Sequence, residues 1–149
     1  MEQSVKAQKA LDLFMQGYNC AQAVFAAFAA DMEMEEATAL RLSSSFGGGM
    51  GGLREVCGAV SGMFMAMGAL RGYDTPDDAP LKAQHYARIQ EMAARFTDAY
   101  DTLLCRELLE KNDILASNMP AERNAEYYKT RPCARYVEAC AAILEDALR

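Results

Sequence analysis

The residues best suited to chemistry in this sequence are its five cysteines. They are Cys20, Cys57, Cys105, Cys133 and Cys140, and none belongs to a CxxC or CxxCH motif. The spacing therefore argues against a thioredoxin-type pair and against a c-type haem site. Thiolates attack disulfides and bind soft metals, so redox chemistry and metal ligation are the functional interpretations. The simpler alternative is that the cysteines are inert, buried packing residues.

Three of the cysteines lie near a predicted helix start, where the helix dipole and free amides lower a thiol pKa. Asn19 is a good N-cap and places Cys20 in the first turn of a helix. A Thr-Arg-Pro sequence is typical of a helix start and does the same for Cys133. Cys57 lies within one turn of a third start. Cys140 shares a face with Cys133 but lies about 10 Å along the axis at about 1.5 Å per residue, so it is predicted to be core.

A glycine-rich run, residues 47–52, precedes the uncharged stretch from Val56 to Leu70. The run matches GxGxxG, but that pattern indicates a dinucleotide site only after a strand, and here a predicted helix precedes it. We expect instead a flexible loop whose backbone passes close to another element. Because the loop precedes a helix, anion binding is an alternative.

The apolar stretch predicts a central helix at about residues 54–70 that is rich in glycine and alanine. Gly58 and Gly62 are four residues apart and would share one face. Each costs about 0.5–1 kcal/mol relative to alanine inside a helix, so close packing or a group that needs space must offset that cost. Small residues at this spacing favour close helix approach, either in a homodimer or within one chain.

The remaining sequence predicts helices able to surround this segment. Apolar residues recur with the helical period before Gly17, between Asn19 and Ser45, and most regularly in a fifth helix that ends near Leu104. Residues 111–130 are polar and irregular, which predicts a loop with one short helix. No segment alternates as a strand does. We predict an all-α fold, with residues 1–149 forming a single domain of about five to seven helices.

Composition excludes several functional classes. The chain has 15 Lys and Arg against 21 Asp and Glu, a net charge of −6, and no basic run, so it is not expected to bind nucleic acid. The N-terminus lacks an apolar signal region. The uncharged stretch is shorter than the roughly 17–25 residues that a membrane span needs. We therefore expect a cytoplasmic protein with no membrane insertion and with reduced cysteines.

The arrangement of cysteines and glycines resembles the C_GCAxxG_C_C family, a set of redox-active proteins. The matching elements, in chain order, are Asn19–Gln22, Phe46–Gly52, Cys57–Gly62, Cys105–Leu108 and Arg131–Cys133. The glycine run followed by Cys-Gly-Ala-Val-Ser-Gly is the most specific of them. The resemblance extends over nearly the whole chain, and Cys140 has no place in its pattern.

The resemblance implies one site in an all-helical fold, made by Cys20, Cys57, Cys105 and Cys133. Its loop and wall would be Gly49, Gly51, Gly52, Gly58 and Gly62. The four thiols would either hold an iron–sulfur cluster for electron transfer or cycle between dithiol and disulfide, in either case with a redox partner protein. A structural zinc site is an alternative that uses the same cysteines. A further alternative is a helical interaction module with inert cysteines and no cofactor, whose binding surface lies in residues 111–130.

Overall fold

The computed structural model describes residues 4–149 of the chain. In chain order the helical segments are α1 (Val5–Met15), α2 (Cys20–Ala27), α3 (Glu36–Ser43), a 3₁₀ turn (Ser44–Phe46), α4 (Gly47–Met50), α5 (Gly58–Arg71), α6 (Ala79–Tyr100), α7 (Cys105–Glu110), α8 (Ala125–Thr130) and α9 (Cys133–Ala147). Within residues 4–149 there is no β-strand, and six α-helices have eight or more residues. The predicted all-α class is confirmed.

Local side-chain chemistry sets the boundary between α1 and α2. Gly17 adopts φ +107° just after α1 and ends it. The Asn19 side chain accepts the Gln22 backbone N–H at 2.9 Å, and the Gln22 side chain accepts the Asn19 backbone N–H at 3.0 Å. This capping box makes Cys20 the first residue of α2, as predicted.

The central helix begins later than predicted because the segment before it pairs with a distant part of the chain. Val56 and Leu104 form an isolated antiparallel bridge. The Cys57 backbone N–H donates to the Leu103 carbonyl at 2.7 Å. The prediction of helix from about residue 54 is therefore wrong: residues 54–57 lie outside the helix, and α5 starts at Gly58.

The last helix also begins differently from the prediction. Thr130 is the final residue of α8 rather than the cap of α9, and Pro132 occupies the N-cap position. Arg131 is extended, with ψ 134°, because a following proline disfavours the helical region. The kink leaves Cys133 as the first residue of α9.

Helix α5 lies in the middle of the core and packs against α2 and α9. Met63 and Met67 on α5 are buried in the shared apolar cluster. A Cβ placed on Gly62 would lie 2.7 Å from the Ala21 carbonyl oxygen, so α2 approaches α5 at backbone distance. The Gly58–Gly62 face is thus covered by α2 of the same chain, so of the two alternatives for this face the structure shows the contact within one chain. Across residues 4–149, none of the helices has the length and hydrophobicity that crossing a bilayer requires.

Candidate functional site

Four cysteines line a single cavity of about 480 Å³. Cys20, Cys105 and Cys133 are the first residues of α2, α7 and α9, and Cys57 is the N-cap residue of α5. Each thiol thus comes from a different helix start, and together they are the four that the family resemblance implies. Cys140 is fully buried in the apolar core and does not line the cavity, which confirms its prediction as a packing residue.

Cys20 and Cys133 form a thiol pair inside the cavity. The two side chains are in hydrogen-bonding contact, and this contact raises the pKa of Cys20 while lowering that of Cys133. The guanidinium charges of Arg131 and Arg123 and a hydrogen bond with Tyr127 further lower the Cys133 pKa, to about 7, against the effect of burial. At neutral pH the pair therefore consists of a protonated Cys20 that donates to Cys133, which is about half thiolate because its pKa lies near the pH.

Cys57 is in a different electrostatic environment. Burial raises its pKa to about 12, and the backbone amides of Val60 and Ala59 only partly oppose that effect. The residue is 4% exposed, and no guanidinium is among the main influences on its pKa. Cys57 is consequently a neutral thiol at physiological pH.

Cys105 lies between these extremes because a buried arginine contacts it. Arg54 is 8% exposed, and its Nη1 lies 3.6 Å from the Cys105 sulfur. Burial raises the pKa of Cys105, while the hydrogen bond and the charge of Arg54 lower it; the net change is an increase.

Helix position alone predicts the wrong acidity for two of the thiols. We expected helix starts to favour thiolates at Cys20, Cys57 and Cys133, and only Cys133 has a lowered pKa. At Cys20 the hydrogen bond with Cys133 and burial raise the pKa, and at Cys57 burial does, and both effects outweigh the field of the helix N-terminus.

The glycine run forms a left-handed turn. All five residues from Gly48 to Gly52 have φ between 61° and 85°, and Met50 is the only non-glycine among them. Each non-glycine residue in this conformation costs about 1–2 kcal/mol, which explains the composition of the run. The turn is tied by backbone bonds from Arg54 N–H to Gly48 O at 3.1 Å and from Glu55 N–H to Gly49 O at 2.9 Å. It is therefore a defined turn rather than the flexible loop we predicted.

The turn brings the backbone against the cysteines. A Cβ on Gly49 would lie 2.7 Å from Cys105 Cβ, and one on Gly58 would lie 3.3 Å from Cys20 Cβ. Gly51 and Gly52 also line the cavity, whereas Gly62 does not and instead contacts α2. The expectation that the loop backbone passes close to another element is confirmed.

The irregular segment of residues 113–124 covers one side of the cavity. Arg54 holds this segment through bonds from Nε to Ser117 O at 2.6 Å and from Nη2 to Met119 O at 3.4 Å. Arg123 is fixed at the other end by a bond from Nη2 to Tyr18 O at 2.8 Å. The Arg54 guanidinium therefore contacts both the Cys105 thiol and the segment of residues 113–124 that covers the cavity.

The sequence interpretation missed the arginines and Tyr127. Arg54 carried a usable signal, since it is a lone cation between the glycine run and an apolar stretch. Arg123, Tyr127 and Arg131 carried none, because their contacts with the site depend on how distant segments pack.

The thiols are not arranged around a single metal ion. Within residues 4–149, no three His, Cys, Asp or Glu side chains are grouped as they would be to ligate one. Tetrahedral zinc needs metal–sulfur distances of about 2.3 Å, and thus sulfurs in close contact. The arrangement gives no support to the zinc alternative.

Comparison with known proteins gives one match. The model of the family C_GCAxxG_C_C, described as "Putative redox-active protein", matches residues 18–147. No curated protein and no solved structure matched the chain. The matched region contains all four cavity cysteines, the left-handed glycine turn and the segment that covers the cavity. The chain therefore belongs to the C_GCAxxG_C_C family of redox-active proteins.

Proposed function

We propose that this protein is a dithiol–disulfide redox protein whose working pair is Cys20 and Cys133. The observation that carries the proposal is the hydrogen-bonding contact between these two thiols at the wall of one cavity. A neighbouring thiol and thiolate are the two reactants that reversible disulfide formation requires.

In the proposed reaction the Cys133 thiolate attacks one sulfur of an oxidising disulfide, such as one in a partner protein. The S–S bond of that disulfide breaks, its leaving sulfur departs as a thiolate, and a mixed disulfide with Cys133 remains. Cys20 then loses its proton and attacks the Cys133 sulfur, which expels the second thiolate and forms the Cys20–Cys133 bond. Two electrons pass from the protein to the oxidant, and the one proton released is that of Cys20, since Cys133 reacts as a thiolate.

The other two cavity thiols have less suitable properties for this step. Cys57 is protonated and buried, and Cys105 has a raised pKa despite Arg54. Neither is in hydrogen-bonding contact with Cys133. They line the cavity around the reactive pair.

A redox titration tests the proposal. The purified protein is equilibrated in thiol–disulfide buffers from about −320 to about −120 mV, the range of thiol–disulfide proteins. Free thiols are then blocked and the disulfides mapped by mass spectrometry. We expect a reversible two-electron step with a Cys20–Cys133 bond, which Cys140→Ala retains and Cys133→Ala loses. Five free thiols across the whole range, or a bond that excludes Cys133, would contradict the proposal.

A second function, electron transfer by an iron–sulfur cluster, is supported by the number of thiols. Four cysteine thiols facing one cavity are the usual donor set for such a cluster. The cavity wall also carries Arg54, Arg123 and Arg131, whose charges would offset those of a thiolate-bound cluster. The residues present therefore fit the group: Cys20, Cys57, Cys105 and Cys133 would hold it, and it would supply one-electron transfer.

Anaerobic reconstitution with iron and sulfide distinguishes the two functions. Cluster binding would give visible absorption with iron and sulfide in stoichiometric amounts. It should be lost in Cys57→Ser and retained in Cys140→Ala, whereas the dithiol function predicts that the Cys57→Ser protein still forms the Cys20–Cys133 bond. A colourless product that has no iron and retains full redox cycling would exclude the cluster function, and the dithiol function would be the one supported.

A further inference from the structure

The cavity is cationic in an acidic protein. Its wall within residues 4–149 includes three arginines and no Asp or Glu, although the chain carries a net charge of −6. A concave surface with one sign of charge concentrates ligands of the opposite sign. A ligand that binds in this cavity is therefore expected to be an anion.

Two of the arginines are already occupied by the fold. Arg54 donates to the carbonyls of Ser117 and Met119 and contacts the Cys105 sulfur. Arg123 donates to the carbonyls of Phe14 and Tyr18, and stacks 4.4 Å over the Phe14 ring. These guanidinium groups hold the covering segment in place.

Arg131 differs because its donors are free. Within residues 4–149, its guanidinium makes no hydrogen bond and no ion pair with a carboxylate, and it lies over the Tyr127 ring, 5.2 Å from the centroid. It is half-buried, lines the cavity and lies two residues before Cys133. A planar group with five N–H donors thus faces the space beside the reactive thiol, in the geometry that suits a carboxylate.

We propose that the cavity accepts a small disulfide bearing a carboxylate, which Arg131 binds while Cys133 attacks one of its sulfurs. The proposal rests on the dithiol function above and specifies its oxidant. The small disulfide R–S–S–R receives two electrons from the pair, one proton from Cys20 and one from water, and leaves as two R–SH molecules, while Cys20 and Cys133 become one disulfide. The cavity volume of about 480 Å³ is within the usual range for small-molecule sites.

Three small disulfides of similar size but different charge can show whether the charge of the disulfide affects its reaction with the protein. Dithiodipropionate carries two carboxylates, hydroxyethyl disulfide is neutral, and cystamine carries two ammonium groups. For each disulfide, the rate of oxidation of the reduced protein is divided by the rate at which the same disulfide oxidises dithiothreitol, a neutral dithiol. This division corrects for differences in the leaving group among the three disulfides. The variants are Arg131→Gln, the charge-retaining Arg131→Lys, and Arg135→Gln, which removes an exposed arginine of α9 outside the cavity.

We expect the wild-type protein to prefer dithiodipropionate over cystamine by about tenfold or more, the effect of one nearby charge at an intermediate dielectric. Arg131→Gln should lower this ratio by about tenfold, Arg131→Lys should restore part of it, and Arg135→Gln should leave it unchanged. Because all three substrates share the same nucleophile, a change in Cys133 reactivity cancels from the ratio. A wild-type ratio near one, or a ratio that is the same in Arg131→Gln, would overturn the inference while leaving the dithiol function intact. Failure of all three disulfides to oxidise the pair would also overturn the inference, whereas the dithiol function is decided separately by the redox titration and disulfide mapping.

Discussion

The starts of α9 and α5 each carry a cysteine, yet the two thiols differ by about five pKa units. Cys133 has a pKa of about 7 and Cys57 one of about 12. Cys133 receives a hydrogen bond from Cys20 and the charge of Arg131, whereas Cys57 is desolvated and has no guanidinium acting on it. The comparison shows that a helix N-terminus does not by itself activate a thiol; partners supplied by other segments decide the result.

Selective alkylation tests the difference in pKa between Cys133 and Cys57 most directly. It is also the experiment for which the largest effect is expected. With a Brønsted coefficient of about 0.5, a gap of about five pKa units leaves Cys133 about a hundredfold more reactive than Cys57 at pH 7. The Cys133 rate should rise as the pH passes through about 7 and then level off, because only the thiolate reacts. Iodoacetamide labelling at a series of pH values, followed by peptide mass spectrometry, measures both rates. Equal alkylation rates for Cys133 and Cys57 would contradict the difference in their pKa values.

The next test disturbs the packing of α2 against α5, the helix that begins just after the buried Cys57. Gly62→Ala places a Cβ 2.7 Å from the Ala21 carbonyl and should lower the free energy of unfolding by about 1–3 kcal/mol. Gly68→Ala is the matched control on the same helix, since no atom lies within 4 Å of its Cβ, and it should stabilise the protein by about 0.4–1 kcal/mol. Urea denaturation gives both values. If the two variants are equally stable, close approach of α2 does not account for Gly62.

A smaller effect is expected from removing the hydrogen bond to Cys133. Cys20→Ala should raise the Cys133 pKa and slow its alkylation at pH 7 by about two- to sixfold, because losing a bond of about 1.5–3 kcal/mol leaves less thiolate but makes that thiolate more nucleophilic. Cys105→Ala is the control, since it removes another cavity thiol without breaking that bond. An unchanged pH profile in Cys20→Ala would show that the arginines alone set the acidity of Cys133.

The parts of the structure that local chemistry determines could be predicted from the sequence. Gly17, Asn19 and Gln22 mark the boundary between α1 and α2, and that boundary is correct. The start of α5 could not be predicted, because Val56 is held out of the helix by Leu104, a residue far away in the chain.

The same distinction applies to the site. The resemblance named the four cysteines that the cavity contains, and the position of Cys140 on its helix separated it from them. The acidities could not be predicted, because the pKa of Cys133 depends on Cys20, Arg123 and Tyr127, which only the folded chain brings together. The handedness of the glycine turn was also missed, since the GxGxxG pattern led to a comparison with nucleotide loops.

The contact between Cys20 and Cys133 also has a consequence for the order of events during synthesis. These residues lie near opposite ends of the chain, and α9, the last helix, packs against α1, α2 and α5. Because a chain is made from its N-terminus, the other three cavity cysteines leave the ribosome before Cys133 does. A nascent chain thus carries Cys20, Cys57 and Cys105 before the contact between Cys20 and Cys133 can form.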